Sequence, residues 1–381
     1  MSDANKETEL SWFVSINRVF PLFKWLALIH SLGSDINMLL PIFCNLLAYL
    51  NGLEIYTSLY YLNIIFIFSV IYKSYVCALI AKPLVTSRAF SPGHITGVVE
   101  AHDSVDRQDL LHQGSKGVGF SIDLGVTTTV SLYDDFVSSY QIMINGRSVN
   151  DAEVSRFVVE EYLRFIRRPY HVRIEHKADI PIGFGLGSSG AAALSLSFAL
   201  NRALKVGLSP EQAAQIAHSA DVACRTGLGT VIAEYSGGFE IRSFSGAPGI
   251  GRISKTELNG YRAVILCMAP ISTKLILSND PNFDSAFSGP LPEALRMASN
   301  ISDFLACSNQ FASNVGLTEG VCKEPMEAWR SDGFLSSVAL FGATIFTLVP
   351  EELTTKAEQS VGNFEGRLIT CGIDNIGARV L

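Results

Sequence analysis

The segment that most constrains the fold is a glycine-rich stretch at residues 179–193, which reads DIPIGFGLGSSGAAA. Before it, apolar and charged residues alternate over residues 172–175, which predicts a β-strand. After it, residues 191–204 are mostly small or apolar and contain no Gly or Pro, which predicts a helix. The chain is therefore expected to pass from a strand through a glycine loop into a helix.

This order of elements is typical of an anion-binding loop. Gly183, Gly185 and Gly187 allow a ligand to approach the backbone closely, because no Cβ intervenes. Ser188 and Ser189 add hydroxyl groups where the new helix exposes N–H groups that have no partner within the helix. These features favour phosphate as the ligand.

Three interpretations of the loop compete: a plain turn, a dinucleotide site and a nucleoside-triphosphate site. Residues 185–190 match the spacing G-x-G-x-x-G, but a dinucleotide fold also requires a second strand that ends in an acidic residue. Residues 205–215 instead predict a turn and another helix start. No Lys follows the last glycine, which excludes the Walker pattern. The residues of the loop alone leave a plain turn and a triphosphate loop of another kind open.

The remainder of the chain predicts an α+β protein. Residues 118–132 are rich in β-branched side chains and lack Pro, which predicts a strand. Residues 155–168 carry apolar side chains at helical spacing. A further helix is predicted over residues 209–224, since Ser209 can cap it and Pro210 suits its first position. Strands and helices alternate again after residue 255, as in layered α+β folds.

Charge and cysteine content restrict the class of protein. The 381-residue chain has a net charge of −7, which argues against nucleic acid as a partner. Its seven cysteines include no C-x-x-C pair, so neither a disulfide framework nor a zinc site is expected. We therefore expect a cytoplasmic protein from a reducing compartment.

Residues 1–84 form a hydrophobic extension with a different composition. Residues 55–72 contain no charged side chain and just reach the length of a membrane-spanning helix. One interpretation is a membrane segment, which would make the protein membrane-associated. The other is a start assigned too early, with the mature chain beginning near Val85.

Residues 181–191 resemble the second motif of the GHMP kinases, a superfamily that includes galactokinase, homoserine kinase and mevalonate kinase. Residues 91–100, 114–129, 226–242 and 246–251 most resemble the archaeal pantoate kinases. The resemblance implies the α+β two-domain GHMP kinase fold, with the phosphate-binding loop at the domain interface. It places the N-terminal domain at residues 85–245 and the C-terminal domain at residues 246–381.

The resemblance also implies an activity, namely ATP-dependent phosphorylation of pantoate to 4-phosphopantoate in coenzyme A biosynthesis. Two alternatives stay open. One is another GHMP kinase that acts on homoserine, mevalonate or shikimate. The other is a membrane-tethered nucleotide-binding homologue that no longer catalyses. The sequence does not decide the oligomeric state, and a homodimer stays open.

The expected cofactors are ATP and Mg²⁺. The residues implied for nucleotide binding are Pro181, Gly183, Gly185, Leu186, Gly187, Ser188 and Ser189. Mg²⁺ prefers hard oxygen ligands, for which Ser189 and Asp221 are the candidates. Asp221 is also a candidate catalytic residue. The alternative interpretation is that Asp221 is merely a solvated acid on the surface of a helix.

The position at which mevalonate-kinase relatives carry a catalytic Asp holds Thr230, whose hydroxyl is not a base near neutral pH. Either the reaction uses no dedicated base, as in homoserine kinases, or Glu234 one helical turn later takes the catalytic role. We expect Glu234 to be a surface residue in the first case. An inactive homologue is the third alternative.

A hydroxy-acid substrate needs groups that recognise its carboxylate and its hydroxyls. The basic residues in matching motifs are His94, Lys116 and Arg225, and the hydroxyl side chains are Thr96 and Ser115. We predict that these five residues form the substrate pocket.

Overall fold

The computed structural model describes residues 82–102, 109–227, 229–271, 300–340 and 342–381. Residues Ala81–Leu381 form one compact unit. The predicted membrane segment in the first 84 residues lies outside the described residues. Among the helices that are described, none combines the length and apolar character needed to span a bilayer.

The larger sheet is organised around two long antiparallel strands, β1 (Val85–His102) and β2 (Gly114–Asp134). Its strand order is β12-β1-β2-β5-β3-β4, and β6 pairs with both β2 and β7. The other strands are β3 (Ser139–Ile144), β4 (Arg147–Ser148), β5 (Tyr170–Ala178), β6 (Phe239–Phe244), β7 (Arg252–Thr256) and β12 (Arg379–Val380).

Three helices cover one part of this sheet and bury its apolar side chains. They are α1 (Glu153–Leu163), α2 (Ser188–Leu204) and α3 (Pro210–Ala223), and α4 (Thr230–Ser236) follows them. The core between helices and sheet includes Val130, Val158, Ile174, Leu196 and Ala217. Because α2 is buried along most of its length, the core anchors the helix that follows the glycine loop.

The smaller sheet has the order β11-β8-β10-β9. In β8 the side chains of Ala263 and Ile265 face one core, whereas Val264 and Leu266 face another, as the period of a strand requires. The elements of this part are β8 (Tyr261–Pro270), α5 (Ile301–Asn314), α6 (Lys323–Ser331), β9 (Ser337–Val338), β10 (Gly342–Pro350), α7 (Thr354–Val361) and β11 (Arg367–Cys371).

The structure confirms the predicted local elements around the loop. β5, the glycine loop and α2 follow one another as expected, and α3 has the predicted cap. Ser209 accepts from the backbone of Gln212, whose side chain bonds back to the Ser209 N–H. β7 and β12, which lie after residue 246, join the larger sheet. The predicted domain boundary at residue 245 stays a prediction.

A buried histidine on β5 of the larger sheet is expected to make the stability of the fold sensitive to acid. His176 accepts or donates hydrogen bonds at both ring nitrogens, to Thr128 at 2.8 Å and Ser155 at 3.0 Å. Burial lowers its pKa to about 4. The ring protonates near pH 6.5 in the unfolded chain, whereas in the folded protein it stays neutral down to about pH 4. The free energy of unfolding therefore falls by about 3 kcal/mol as the pH falls from 6.5 to 4.

Urea unfolding measured between pH 7 and pH 4 checks this expectation. The free energy of unfolding should fall over that interval, and His176→Gln should flatten the decline. His112→Gln is the control, since this histidine is exposed. An equally steep decline in His176→Gln would assign the acid sensitivity to other groups.

Candidate active site

Glycine is required at three positions of the loop between β5 and α2. Gly183, Gly185 and Gly187 have φ of +85°, +74° and +70°, a region that L side chains rarely adopt. A Cβ at Gly185 would also overlap the carbonyl oxygen of Leu340. α2 begins at Ser188 with no side-chain cap, so its first N–H groups are left for a ligand. The loop therefore has the geometry of an anion site.

Irregular strand pairing places His94 and Thr96 beside this loop. The β1–β2 register shifts immediately before and after residues 93–96, and such shifts redirect side chains. The backbone N–H of His94 donates to the carbonyl oxygen of Leu186 at 3.0 Å. This bond fixes β1 to the loop.

The loop, β1, β2 and the start of α4 enclose a cleft. It brings together most of the predicted nucleotide-binding and substrate-binding residues: His94, Thr96, Ser115, Gly183, Gly185, Leu186, Gly187, Ser188 and Ser189. Thr230 also lines the cleft. So do four residues that were not predicted as site residues: Val99, Thr226, Gly227 and Leu340. Pro181 precedes the loop and is half-buried outside this lining.

Asp221 lies fully buried on α3, directly behind the cleft. Its Oδ1 accepts hydrogen bonds from the hydroxyls of Ser189 at 2.9 Å and Thr226 at 2.8 Å. Burial raises the pKa of Asp221, and these hydrogen bonds oppose the rise. Oδ2 has no partner among the described residues and lies against Gly227, where a Cβ would overlap it. The alternative of a solvated helix acid is therefore wrong.

The expectation that Glu234 is a surface residue is also wrong. Its side chain is fully buried, and neither carboxyl oxygen has a partner in the described part of the chain. A Cβ at Gly187 or Gly190 would overlap those oxygens, so Glu234 lies directly under the start of α2. Burial raises its pKa well above the ordinary value, Asp221 adds to the rise, and Arg242 opposes it.

A buried ionic cluster on β6 was missed by the sequence analysis. Arg242 donates from Nη1 to Oε1 of Glu240 at 2.6 Å, and Nε2 of His94 lies 2.9 Å from the same oxygen. All three side chains are buried. The available signal was the spacing of Glu240 and Arg242, since residues two apart on a strand face the same side.

Two predicted substrate residues lie outside the cleft. Lys116 on β2 pairs with Glu100 at 3.1 Å, because successive side chains of a strand face opposite ways and Ser115 occupies the cleft side. Arg225 is exposed, with φ of +53° just after α3, and lines a separate depression with Arg156. The geometry gives neither side chain a contact with the cleft.

Residues 153–238 match the family model described as the GHMP kinases N terminal domain. The pantoate kinase of Methanocaldococcus jannaschii is 34% identical over 60% of this chain and 80% of that protein. The chain belongs to the GHMP kinase family. A second relative of this GHMP kinase, the pantoate kinase of Thermococcus kodakarensis, is 29% identical over 71% of this chain and 90% of that protein. A shikimate kinase of Pyrococcus abyssi is 33% identical over only 24% of this chain and 34% of its own.

Solved structures give the same fold. One described as a phosphotransferase related to the CoA biosynthesis pathway has a TM-score of 0.70 and 25% identity, over 78% of this chain and 99% of that one. A mevalonate diphosphate decarboxylase of Staphylococcus aureus has a TM-score of 0.58 and 15% identity, over 78% of this chain and 98% of its own. The predicted α+β GHMP kinase fold is confirmed.

Proposed function

We propose that this GHMP kinase transfers the γ-phosphoryl group of ATP to the 4-hydroxyl of pantoate, giving ADP and 4-phosphopantoate for coenzyme A biosynthesis. The observation that carries the proposal is the glycine loop at the start of α2, which opens onto a cleft lined by hydroxyl side chains. The relatives that match most of the chain are pantoate kinases, which supports the choice of substrate.

Phosphoryl transfer depends mainly on positioning and on neutralising the charge of the phosphate oxygens. The unpaired N–H groups of α2 and the hydroxyls of Ser188 and Ser189 supply donors at one end of the cleft. Thr96, Ser115 and Thr226 supply hydroxyls elsewhere in it. None of the cleft-lining residues in the described part of the chain is Lys or Arg. We therefore assign recognition of the small hydroxy acid to hydroxyl and backbone N–H groups.

Ser189 and Asp221 fit the Mg²⁺ that would accompany ATP. The Oδ2 atom of Asp221 is buried and has no hydrogen-bond partner among the described residues, as expected of an oxygen that a cation would satisfy. Mg²⁺ is usually held by one or two carboxylates together with phosphate oxygens, so a single carboxylate suffices. The ion would supply charge neutralisation for the phosphates, while Ser189 and Thr226 orient the carboxylate.

Two features support the alternative of a non-catalytic homologue, namely Thr230 and the hydrophobic extension. Residues 1–81 of the extension lie outside the described residues. The cleft next to Thr230 keeps the glycine geometry and the Ser189–Asp221 pair. These features support an active enzyme. The membrane association and the homodimer stay open.

ADP release with a panel of alcohols tests the proposal. Pantoate should be preferred over homoserine, mevalonate and shikimate in kcat/KM by about 10²-fold or more. A truncated chain that begins at Val85 should give the same order and bind ATP. Preference for another alcohol would replace the substrate, and ADP binding without turnover of any alcohol would favour the non-catalytic homologue.

A further inference from the structure

Phosphoryl transfer to an alcohol also releases the proton of the acceptor hydroxyl, which a nearby basic group can accept. Thr230 cannot do so near neutral pH. Among the described residues that line the cleft, His94 is the one that carries an imidazole, a side chain able to accept and release a proton. Its backbone lies against Gly187, 3.1 Å from where a Cβ of that residue would stand, so the ring is next to the phosphate loop.

Hydrogen bonds hold both ring nitrogens of His94. Nε2 lies 2.9 Å from Oε1 of Glu240, and Nδ1 lies 3.2 Å from Oγ1 of Thr96. Glu240 also accepts a hydrogen bond from Arg242 at 2.6 Å. Because a carboxylate can only accept, the proton of the His94 ring must lie on Nε2, the nitrogen that faces Glu240. Nδ1 then keeps its lone pair and accepts from the Thr96 hydroxyl. A carboxylate, an imidazole and a hydroxyl thus follow one another and end in the cleft.

The two other candidate bases, Asp221 and Glu234, are buried outside the cleft lining. Neither Asp221 nor Glu234 is among the residues that line the cleft. Ser189 and Thr226 lie between Asp221 and the cleft and donate to its Oδ1. Glu234 lies beneath the loop glycines, with its carboxyl group fully buried.

We propose that His94, oriented by Glu240, is the general base and acts through the Thr96 hydroxyl. The proposal rests on the kinase activity proposed above. The acceptor hydroxyl gives its proton to Oγ1 of Thr96 as the Thr96 proton passes to Nδ1 of His94. The acceptor oxygen bonds to the γ-phosphorus, and the bond from that phosphorus to ADP breaks, with its electron pair leaving on ADP. The resulting imidazolium is paired with the Glu240 carboxylate and later releases its proton to water.

Glu240 is a positioning residue in this scheme, and its charge stabilises the imidazolium. The ring lies against Glu240 on β6 and the uncharged Gly119 on β2, and Arg242 on β6 pairs with Glu240. Glu234 on α4 interacts electrostatically with Glu240, Arg242 and Asp221. Replacing Glu240 by Gln removes the negative charge closest to the ring. The imidazolium then loses its paired charge, so the acid limb of the rate profile should move to lower pH.

Four variants test the relay, with kcat measured from pH 5 to pH 9 and ADP affinity measured separately. His94→Asn should lower kcat by about 10²–10⁴-fold with ADP affinity retained. Thr96→Val should lower kcat, and Thr96→Ser should recover most of the loss because it restores the hydroxyl. Glu240→Gln should move the acid limb to lower pH. His171→Asn, a histidine on β5 outside the cleft, is the matched control and should leave kcat unchanged.

Near-normal kcat in His94→Asn with intact ADP binding would overturn the proposal. If His94→Asn also loses ADP binding, the two Thr96 variants decide the question. Equal kcat values for Thr96→Val and Thr96→Ser would overturn the relay. An unmoved acid limb in Glu240→Gln would overturn the role of Glu240. Preference of the wild-type chain for an alcohol other than pantoate would overturn only the substrate assignment, since the same variants are then measured with that alcohol.

Discussion

Asp221→Asn is expected to lower kcat on the order of 10²–10³-fold, comparable to the loss of a principal electrostatic contact in other enzymes. The carboxylate accepts from Ser189 and Thr226, and in the proposed site it would bind the cation directly. Asn removes that charge and presents an amide NH₂ where a second acceptor oxygen stood. The measurement is kcat with saturating ATP and Mg²⁺, together with the Mg²⁺ concentration that gives half the maximal rate.

Glu234→Gln is the matched control, because Glu234 is the other buried carboxyl group close to the loop. Its raised pKa means that the side chain keeps its proton more readily than an ordinary Glu, and Gln is a neutral group of the same shape. The loss in kcat should be less than about tenfold, far below the value of a dedicated base. Thr230→Ala should also be mild. If Glu234→Gln abolishes activity while Asp221→Asn is tolerated, Glu234 is the base and Asp221 is not the metal ligand.

Gly187→Val is expected to abolish nucleotide binding. The φ of +70° disfavours any branched side chain, at a cost of about 1–3 kcal/mol. The new Cβ would also overlap Oε1 of Glu234 and stand 3.1 Å from the backbone nitrogen of His94. The loop would have to move, and its N–H groups would no longer converge on phosphate. Calorimetric titration with ADP measures the loss directly.

Gly207→Val separates backbone strain from loss of the site. Gly207 has a similar φ of +83°, but no atom of the described residues lies within 4 Å of its Cβ position. It follows α2 instead of preceding it. Gly207→Val should lower the free energy of unfolding and leave ADP affinity unchanged. Normal ADP affinity in Gly187→Val would show that the loop does not bind phosphate.

Local sequence patterns were sufficient for the elements around the site. The alternation at residues 172–175, the loop glycines and the helix-forming run after them predicted β5, the loop and α2. Ser209 and Pro210 predicted the start of α3. Each of these signals depends on residues a few positions apart, so the sequence contains the whole interaction. The loop also led to the family, and through it to the fold.

Only the tertiary structure decided which polar groups are buried and which share the cleft. Glu234 lies on a helix of seven residues, too short for its spacing to show that the loop glycines cover it. His94 and Glu240 are 146 residues apart and meet because β6 pairs with β2, which pairs with β1. Lys116 matched the family motif, yet strand alternation directs it away from the cleft. Sequence determined the glycine loop because that loop is local, whereas the groups of the proposed proton relay meet only through sheet pairing.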